Sequence, residues 1–378
     1  MAAPGKRLSI LTWHVHGNYL HCLSQVPHDF HIVTKPGHPP GYAGRVGRLP
    51  FGDNVQEVPF EKVSGRSFDV VLYQHRAHYM HDRLHVLTPA QRALPRIYLE
   101  HDPPQEDPFA QLHWAQDPGL MLVHVTHFNR LMWDNGRTPT AVIEHGVVVP
   151  ENVRYTGDLE RGLVIVNDLQ ARGRRLGADV FEALRRDVPF DLVGANAQAL
   201  GGLGEVGDRD LAAFAAPYRF LFNPVRWTSL GLAVVEAMAL GMPIVGLATT
   251  ELSTVIRNGD NGFIHADTAA LRDAMLRLLR DQRLAESWGE GARRTARERF
   301  SIERFVADEM PDTEEEAMNR FLSDEIELAL STLPPRDAKV LRLYFGLEGG
   351  REHTLEEIGS MLGVTRERVR QLRDRALK

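Results

Sequence analysis

A chain of 378 residues is long enough for two or three domains, and an apolar fraction of 43% lets each domain bury its own core. The net charge of −6 excludes a general polyanion binder, so any contact with nucleic acid must come from a local basic patch. The single cysteine, Cys22, excludes an internal disulfide and a thiolate zinc cluster. Because this is typical of a reducing compartment, we expect a cytoplasmic protein. No apolar run reaches the roughly 18 residues of a membrane-spanning helix, so no transmembrane segment is predicted.

Short apolar runs alternate with helical patterns from Arg7 onward, which predicts parallel strands covered by helices. The predicted strands of the first half are 8–13, 30–33, 70–74, 96–100, 120–126 and 141–144. After a polar stretch the pattern restarts, with strands predicted at 162–166, 190–193, 218–223 and 243–246 and helices at 269–300. We therefore predict an α/β fold of two Rossmann-like domains, residues 1–150 and 151–307.

The composition changes sharply near residue 307. Residues 307–316 contain six acidic side chains in ten positions, which predicts a solvated linker over 308–317. Beyond it only helical patterns remain, interrupted by proline and glycine. Residues 318–378 are therefore predicted to form a small all-α domain.

The end of this domain has the pattern of a helix-turn-helix. From Thr354 the sequence is TLEEIGSMLGVTRERVRQLRDRALK, in which Gly363 permits a tight bend and Thr365 can cap the second helix. Residues 365–378 hold six basic and two acidic side chains in an otherwise acidic protein. A basic second helix is suited to phosphate contacts, so we predict DNA binding.

Three segments of the first domain each contain the end of a predicted strand, and they occur in a distinctive order. They are RIYLEHDPP at 96–104, VHVTHFNRL at 123–131 and VIEHGVV at 142–148. In order and spacing they resemble the acceptor domain of retaining glycosyltransferases of the two-Rossmann (GT-B) architecture. The resemblance implies that His101 lies at the reaction centre. It also implies a nucleotide sugar as substrate, no cofactor and no metal, and it leaves the acceptor and the UDP or GDP type of donor open.

Residues 226–263 of the second domain, RWTSLGLAVVEAMALGMPIVGLATTELSTVIRNGDNGF, are similar to the donor-binding signature of the same family. A loop that enters a helix at Gly231 and Leu232 offers backbone N–H groups to a pyrophosphate. Glu236, further along that helix, can accept both hydroxyls of a ribose. Gly17, after the first strand, would allow close approach of the backbone to a ligand.

Two departures from the family bear on donor binding. Thr228 stands where the family usually has a glutamate that binds the donor sugar. Asp168 replaces the arginine of the usual Gly-Arg-Leu, so the cation that holds the leaving diphosphate is expected among Arg172, Arg174 and Arg175. The sequence does not choose among the three.

With NRFLSDEIELALSTLPPRDAKVLRLYFGLEGGREHT before it, the helix-turn-helix resembles region 4 of primary bacterial sigma factors, which binds the promoter −35 element. The resemblance implies RNA polymerase, through its flap, as a possible partner. Nothing upstream resembles the other sigma regions, so a complete sigma factor is not expected. The implied DNA contacts are Thr365, Arg366, Glu367, Arg368, Arg370, Gln371 and Arg375. By the same resemblance, base edges would be contacted by Arg366, Glu367, Arg370 and Gln371, and phosphates by Arg368 and Arg375.

Two hypotheses about function follow. The first is a glycosyltransferase joined, naturally or artificially, to a DNA-binding sigma region 4-like domain. The second is a transcription regulator whose catalytically degenerate body senses a nucleotide sugar, for which Thr228 and Asp168 are the supporting departures. An unrelated two-Rossmann enzyme such as an epimerase is less favoured, because three separate segments match the glycosyltransferases in order.

Overall fold

The structure is a computed structural model that describes residues 7–15, 17–45, 49–150, 152–309, 334–344 and 353–376. The chain divides into two compact units, Lys6–Met310, here the body, and Met1–Gly5 with Pro311–Lys378, which contains the tail. Among the described residues, no helix has the length and apolar character needed to cross a membrane.

The first half of the body is a parallel sheet of seven strands in the order β3-β2-β1-β4-β5-β6-β7. Its strands are β1 Ser9–Trp13, β2 Asp29–Thr34, β3 Val55–Pro59, β4 Val70–Tyr73, β5 Arg96–Glu100, β6 Leu120–His124 and β7 Thr140–Val142. Its helices are α1 Gly17–Leu23, α2 Arg83–His85, α3 Pro89–Arg92 and α4 His127–Met132, with a 3-10 turn at Phe60–Gly65 and a π turn at His78–Asp82.

The second half is a parallel sheet of five strands in the order β12-β11-β10-β8-β9. Its strands are β8 Leu159–Ile165, β9 Phe190–Val193, β10 Tyr218–Asn223, β11 Ile244–Leu247 and β12 Gly262–His265. The helices here are α5 Leu169–Leu176, α6 Ala178–Leu184, α7 Asp208–Ala215, α8 Leu232–Leu240, α9 Leu252–Val255, α10 Thr268–Arg280, α11 Gln282–Phe300 and α12 Ile302–Glu309, with a 3-10 turn at Ala197–Leu200.

Helix α12 does not pack on the second sheet that precedes it. Phe305 of this helix is fully buried in the core of the first domain. A Cβ atom on Gly146 would lie 2.3 Å from the Cβ of Phe305, so the chain needs glycine there for the helix to approach. The range 151–307 predicted for the second domain therefore includes residues that complete the core of the first domain.

The described part of the tail contains three helices, α13 Pro335–Tyr344, α14 Leu355–Leu362 and α15 Arg366–Ala376. Thr354 and Glu357 form a capping box at the start of α14, and Gly363 ends it with φ of 65°. A small core joins the three helices through Val340, Leu343, Ile358, Val369 and Leu372. The two last helices and their glycine turn form the helix-turn-helix that the sequence predicts.

Parts of the predicted tail and linker lie outside the described residues. These are 310–317 of the acidic linker and 318–333, 345–352 and 377–378 of the all-α domain.

Candidate functional site

A cavity of about 630 Å³ opens at the carboxyl ends of the second parallel sheet, where ligands of such sheets bind. Ile165 and Val193, the last residues of β8 and β9, line its floor. Asn18 of α1 lines it from the first domain, so the cavity is shared by the two halves of the body. Three predicted donor-binding residues line it together: Gly231, Leu232 and Glu236.

Glu236 lies in the second turn of α8 and is tied to the opposite domain. The side-chain amide of Asn18 donates a hydrogen bond to Oε1 of Glu236 at 3.2 Å. Burial of the carboxyl group raises its pKa to about 7, and the nearby charge of Asp208 acts in the same direction. The hydrogen bond from Asn18 opposes this increase. Glu236 is therefore poised between its two protonation states at neutral pH.

The N-terminus of α8 faces the cavity without a side chain over it. Gly231 is the N-cap residue, and no side chain among the described residues caps the helix. A Cβ atom built on Gly231 would meet no described atom within 4 Å. Because the first N–H groups of a helix lack internal acceptors and carry positive partial charge, this end is suited to an anion such as a diphosphate.

The three candidate arginines on α5 diverge because the helix breaks at Gly173, where φ is 55° and ψ is −134°. Arg172 lines a second cavity of about 130 Å³ together with Thr228. Arg175 donates a hydrogen bond to Gln105 of the first domain, and burial and the charge of Arg172 lower its pKa. The structure therefore places Arg172 in a cavity of the second domain beside Thr228, and it places Arg175 against the first domain.

Arg174 is directed elsewhere. Its guanidinium lies 2.7 Å from the carboxylate of Asp179, which also pairs with Arg226 at 2.6 Å. With a side chain 77% exposed, Arg174 belongs to a surface ion-pair cluster and does not line the two cavities described above.

His101 follows β5 at the carboxyl edge of the first sheet. Its Nε2 atom lies 3.2 Å from Oε1 of Gln74, the residue after β4. The ring of Tyr19 packs edge-on against the imidazole with centroids 4.6 Å apart. Gly17 begins α1, one residue before Asn18 of the larger cavity.

The donor loop, residues 226–231, is held against the first domain by three hydrogen bonds. The indole of Trp227 donates to the carbonyl of Pro104 at 2.9 Å. Asn129 donates to Ser229 at 3.2 Å, and His145 bonds to the carbonyl of Leu230 at 3.0 Å. The sequence alone does not indicate these roles of Asn129 and His145, although both residues lie in the segments VHVTHFNRL and VIEHGVV that carry the family resemblance.

A buried carboxylate forms a further link between the domains. Glu251, only 1% exposed, accepts a hydrogen bond from the backbone N–H of Phe128 in the first turn of α4 at 2.8 Å. Its other oxygen lies 3.0 Å from Arg299, which also binds Glu144 of the first domain at 2.9 Å. This carboxylate therefore neutralises a helix N-terminus and an arginine together.

We expect Glu251→Ala to lower the free energy of unfolding by about 2 kcal/mol, because it removes the buried carboxylate that accepts from the N–H of Phe128 and pairs with Arg299. Urea denaturation of the full chain measures the change. Glu182→Ala, at an exposed position of α6, is the matched control and should leave stability unchanged. An unchanged unfolding midpoint for the Glu251 variant would contradict the link.

Helix α15 presents most of the predicted DNA contacts to solvent. Its N-cap residue, Thr365, accepts a hydrogen bond from the N–H of Arg368 at 3.3 Å, while Val369 and Leu372 face the core. The side chain of Arg375 lies outside the described residues. The exposed predicted contacts are Arg366, Glu367, Arg368, Arg370 and Gln371.

Within α15, Arg370 pairs with Glu367 at 2.8 Å and Arg368 bonds to Gln371 at 3.1 Å. Arg373 instead turns toward α13, where its guanidinium lies 3.2 Å from the hydroxyl of Tyr344 and 5.1 Å from the ring centre. The helix therefore has one exposed polar face and one face fixed to the rest of the tail. In the described part of the chain, no group of three or more His, Cys, Asp or Glu side chains is placed to hold a metal ion.

Comparison with known proteins identifies both parts. Residues 163–281 match the sequence profile of the family Glycosyl transferases group 1, and residues 329–378 match Sigma-70, region 4. The body has the GT-B fold of glycosyltransferases, and the tail is similar in sequence to region 4 of the sigma-70 factors. The predicted fold class and family resemblances are thus confirmed.

Solved GT-B structures are similar to the body in fold. Sucrose-phosphate synthase from Thermosynechococcus elongatus has a TM-score of 0.58 at 16% identity, covering 80% of this chain and 97% of that one. HepE from Anabaena, in complex with UDP and glucose, has a TM-score of 0.61 at 14% identity, covering 80% and 98%.

Curated relatives match the tail. The RNA polymerase sigma factor SigA of Clostridium acetobutylicum is 49% identical over 71 residues, 19% of this chain and 19% of that protein. SigA1 of Synechococcus elongatus is 46% identical over 74 residues, 20% of this chain and 18% of that protein. The chain thus spans about a fifth of the length of the curated relatives it matches.

Proposed function

We propose that the body transfers a sugar from a nucleoside-diphosphate donor to an acceptor, with retention of configuration and without a metal ion. The observation that carries this proposal is the meeting of Glu236 and the uncapped N-terminus of α8 in one cavity. The carboxylate of Glu236 can accept hydrogen bonds from the two hydroxyls of a ribose. The N-terminus of the same helix, at most two turns away, can bind a diphosphate.

In this proposal, Glu236 accepts hydrogen bonds from the ribose, while the N–H groups of α8 and the cations Arg172 and Arg175 stabilise the diphosphate as it leaves. His101 follows β5 at the carboxyl edge of the first sheet, and in this proposal it faces the donor sugar and the acceptor. The leaving phosphate takes the proton of the acceptor hydroxyl, so the transfer needs no separate general base.

The donor is best sought first among UDP sugars, because similar GT-B structures were solved with UDP or UDP-glucose. Calorimetric titration of the full chain with UDP, GDP and ADP sugars, followed by a turnover assay with each donor that binds, tests the proposal. Binding with sugar transfer or slow donor hydrolysis supports it. If the chain binds none of these donors, the proposed activity is wrong.

A sensor is the second candidate for the body, favoured by two residues. Thr228 offers the donor sugar a hydroxyl where the resembling family has a carboxylate, and Asp168 stands where it has an arginine. A sensor would bind a nucleotide sugar and leave it intact. Binding without turnover or hydrolysis in the same experiment would therefore favour this function over transfer.

Donor binding is expected to depend on pH through Glu236. The pKa of this carboxyl is raised to about 7 by burial, and hydroxyl donors bind its deprotonated form. Donor affinity should therefore be nearly maximal at pH 8 and about tenfold weaker at pH 6. At pH 6 the carboxyl group of Glu236 is protonated in most molecules, and this proton must leave before the ribose binds. Titrations at both pH values measure this, with Glu236→Gln as control. If the ratio of donor affinities at pH 8 and pH 6 is the same in Glu236→Gln as in the wild type, a group other than Glu236 causes the pH dependence.

We also propose that the tail binds promoter −35-type DNA through α15 and that it can dock on RNA polymerase. The exposure of Arg366, Arg368 and Arg370 supports the first part, because arginine side chains bind both phosphates and guanine edges. Binding of the full chain to labelled duplexes with and without a −35-type sequence tests it. Equal affinity for both duplexes would contradict sequence-specific recognition.

A further inference from the structure

Gln74 is a buried amide that joins the ends of neighbouring strands. It follows β4, which lies between β1 and β5 in the first sheet. Its Nε2 atom donates hydrogen bonds to the hydroxyl of Thr12 at 3.0 Å and to the carbonyl of Trp13 at 3.1 Å. Both amide hydrogens are therefore committed to β1, and Oε1 remains as an acceptor that points toward β5.

The partner of that oxygen is His101. Its Nε2 atom lies 3.2 Å from Oε1 of Gln74, and an acceptor at this position requires the hydrogen of the neutral imidazole to be on Nε2. Tyr19 packs edge-on against the ring, with centroids 4.6 Å apart and an interplanar angle of 84°. One contact fixes the tautomer, and the other restricts rotation of the ring.

We propose that Gln74 is a positioning residue that fixes the tautomer and the orientation of His101 in the sugar-transfer site. The inference rests on the proposed function for the role of His101, although the geometry itself does not. The support is stiff, because Gln74 is only 4% exposed and its anchors are strand residues. A small displacement of a reacting group can cost about 100-fold in rate, so such a support has catalytic consequences.

Three substitutions separate the bonds of Gln74. Gln74→Met keeps the length of the side chain but removes the acceptor for His101 and both donors. Gln74→Glu keeps an acceptor for His101 and loses the donors to Thr12 and Trp13. Thr12→Val removes one anchor of Gln74 and leaves the contact between Gln74 and His101 in place.

Nitrogen-15 NMR of the histidine side chains reports the tautomer of His101 directly, with His101→Gln identifying its signals. We expect the Nε2–H form in the wild type, in Thr12→Val and in Gln74→Glu, and a mixture of tautomers in Gln74→Met. Among the described residues, Tyr19 packs on this ring, and Asp102, the next residue in the chain, interacts in charge with Arg175.

Kinetics complete the test. Gln74→Met should lower kcat by about 10- to 100-fold with the donor dissociation constant unchanged, and Gln74→Glu should restore part of the loss near neutral pH. An unchanged tautomer of His101 in Gln74→Met would overturn the inference. If wild type bound no donor and transferred no sugar, the proposed function would fail while the NMR result would still decide the positioning role. If Gln74→Met fails to fold, the wild-type tautomer and Gln74→Glu decide it, because Nδ1–H in either contradicts the hydrogen bond.

Discussion

Replacing Glu236 by alanine is expected to weaken binding of the nucleotide-sugar donor by about 100-fold or more, the largest effect predicted for the body. The carboxylate would accept two hydrogen bonds from the ribose, and hydrogen bonds to a charged group are worth about 1.5 to 3 kcal/mol each. The variant also loses the hydrogen bond from Asn18, a single contact of 3.2 Å that the ribose hydroxyls are expected to replace. Binding rather than folding should therefore change.

Calorimetry with the full chain and the tightest donor measures this effect. Glu182→Ala, at an exposed position of α6 in the same domain, is the charge-matched control and should bind like the wild type. Glu236→Gln should fall between the two, because an amide oxygen accepts one hydrogen bond well but carries no charge. If Glu236→Ala binds donor within a factor of three of the wild type, the cavity does not hold the ribose at α8.

The elements that the sequence predicts well are those whose own pattern is sufficient. The buried parallel strands of both sheets are continuous apolar runs, and the tail helices carry a capping box and a terminating glycine. Strand β3 was not predicted, because only Val55 and Val58 of its five residues are buried and the others face solvent at the sheet edge. Strand β12 was included in a motif but not predicted as a strand.

Contacts between distant segments could not be predicted. Glu236 follows from its position in the donor motif, but its partner Asn18 is 218 residues away. The divergence of Arg172 from Arg174 follows from the backbone at Gly173, a conformation that the letters RGRR do not determine. The same holds for Glu251, which the sequence shows as one more acidic residue near a helix and the fold buries against α4.

Arg370→Ala in the tail is expected to weaken binding to −35-type DNA by about 1 to 3 kcal/mol, which is roughly 5- to 150-fold. Arg370 is exposed on α15 and pairs in the absence of DNA with Glu367 at 2.8 Å. Both side chains are more than half exposed, so this pair contributes little and does not prevent Arg370 from binding a base edge. The fold of the tail should be unchanged, because Val369 and Leu372 provide the core contacts of the helix.

The decisive comparison is between two arginines of the same helix. The family resemblance places Arg370 on a base and Arg368 on phosphate, so the two alanine variants should differ in specificity rather than only in affinity. Arg370→Ala should reduce the preference for the −35-type duplex over a scrambled duplex. Arg368→Ala should weaken both complexes equally and make binding less dependent on salt, since one phosphate contact fewer releases one counterion fewer. Equal losses on both duplexes for Arg370→Ala would place this residue on phosphate, and α15 would then bind DNA without reading its sequence through this side chain.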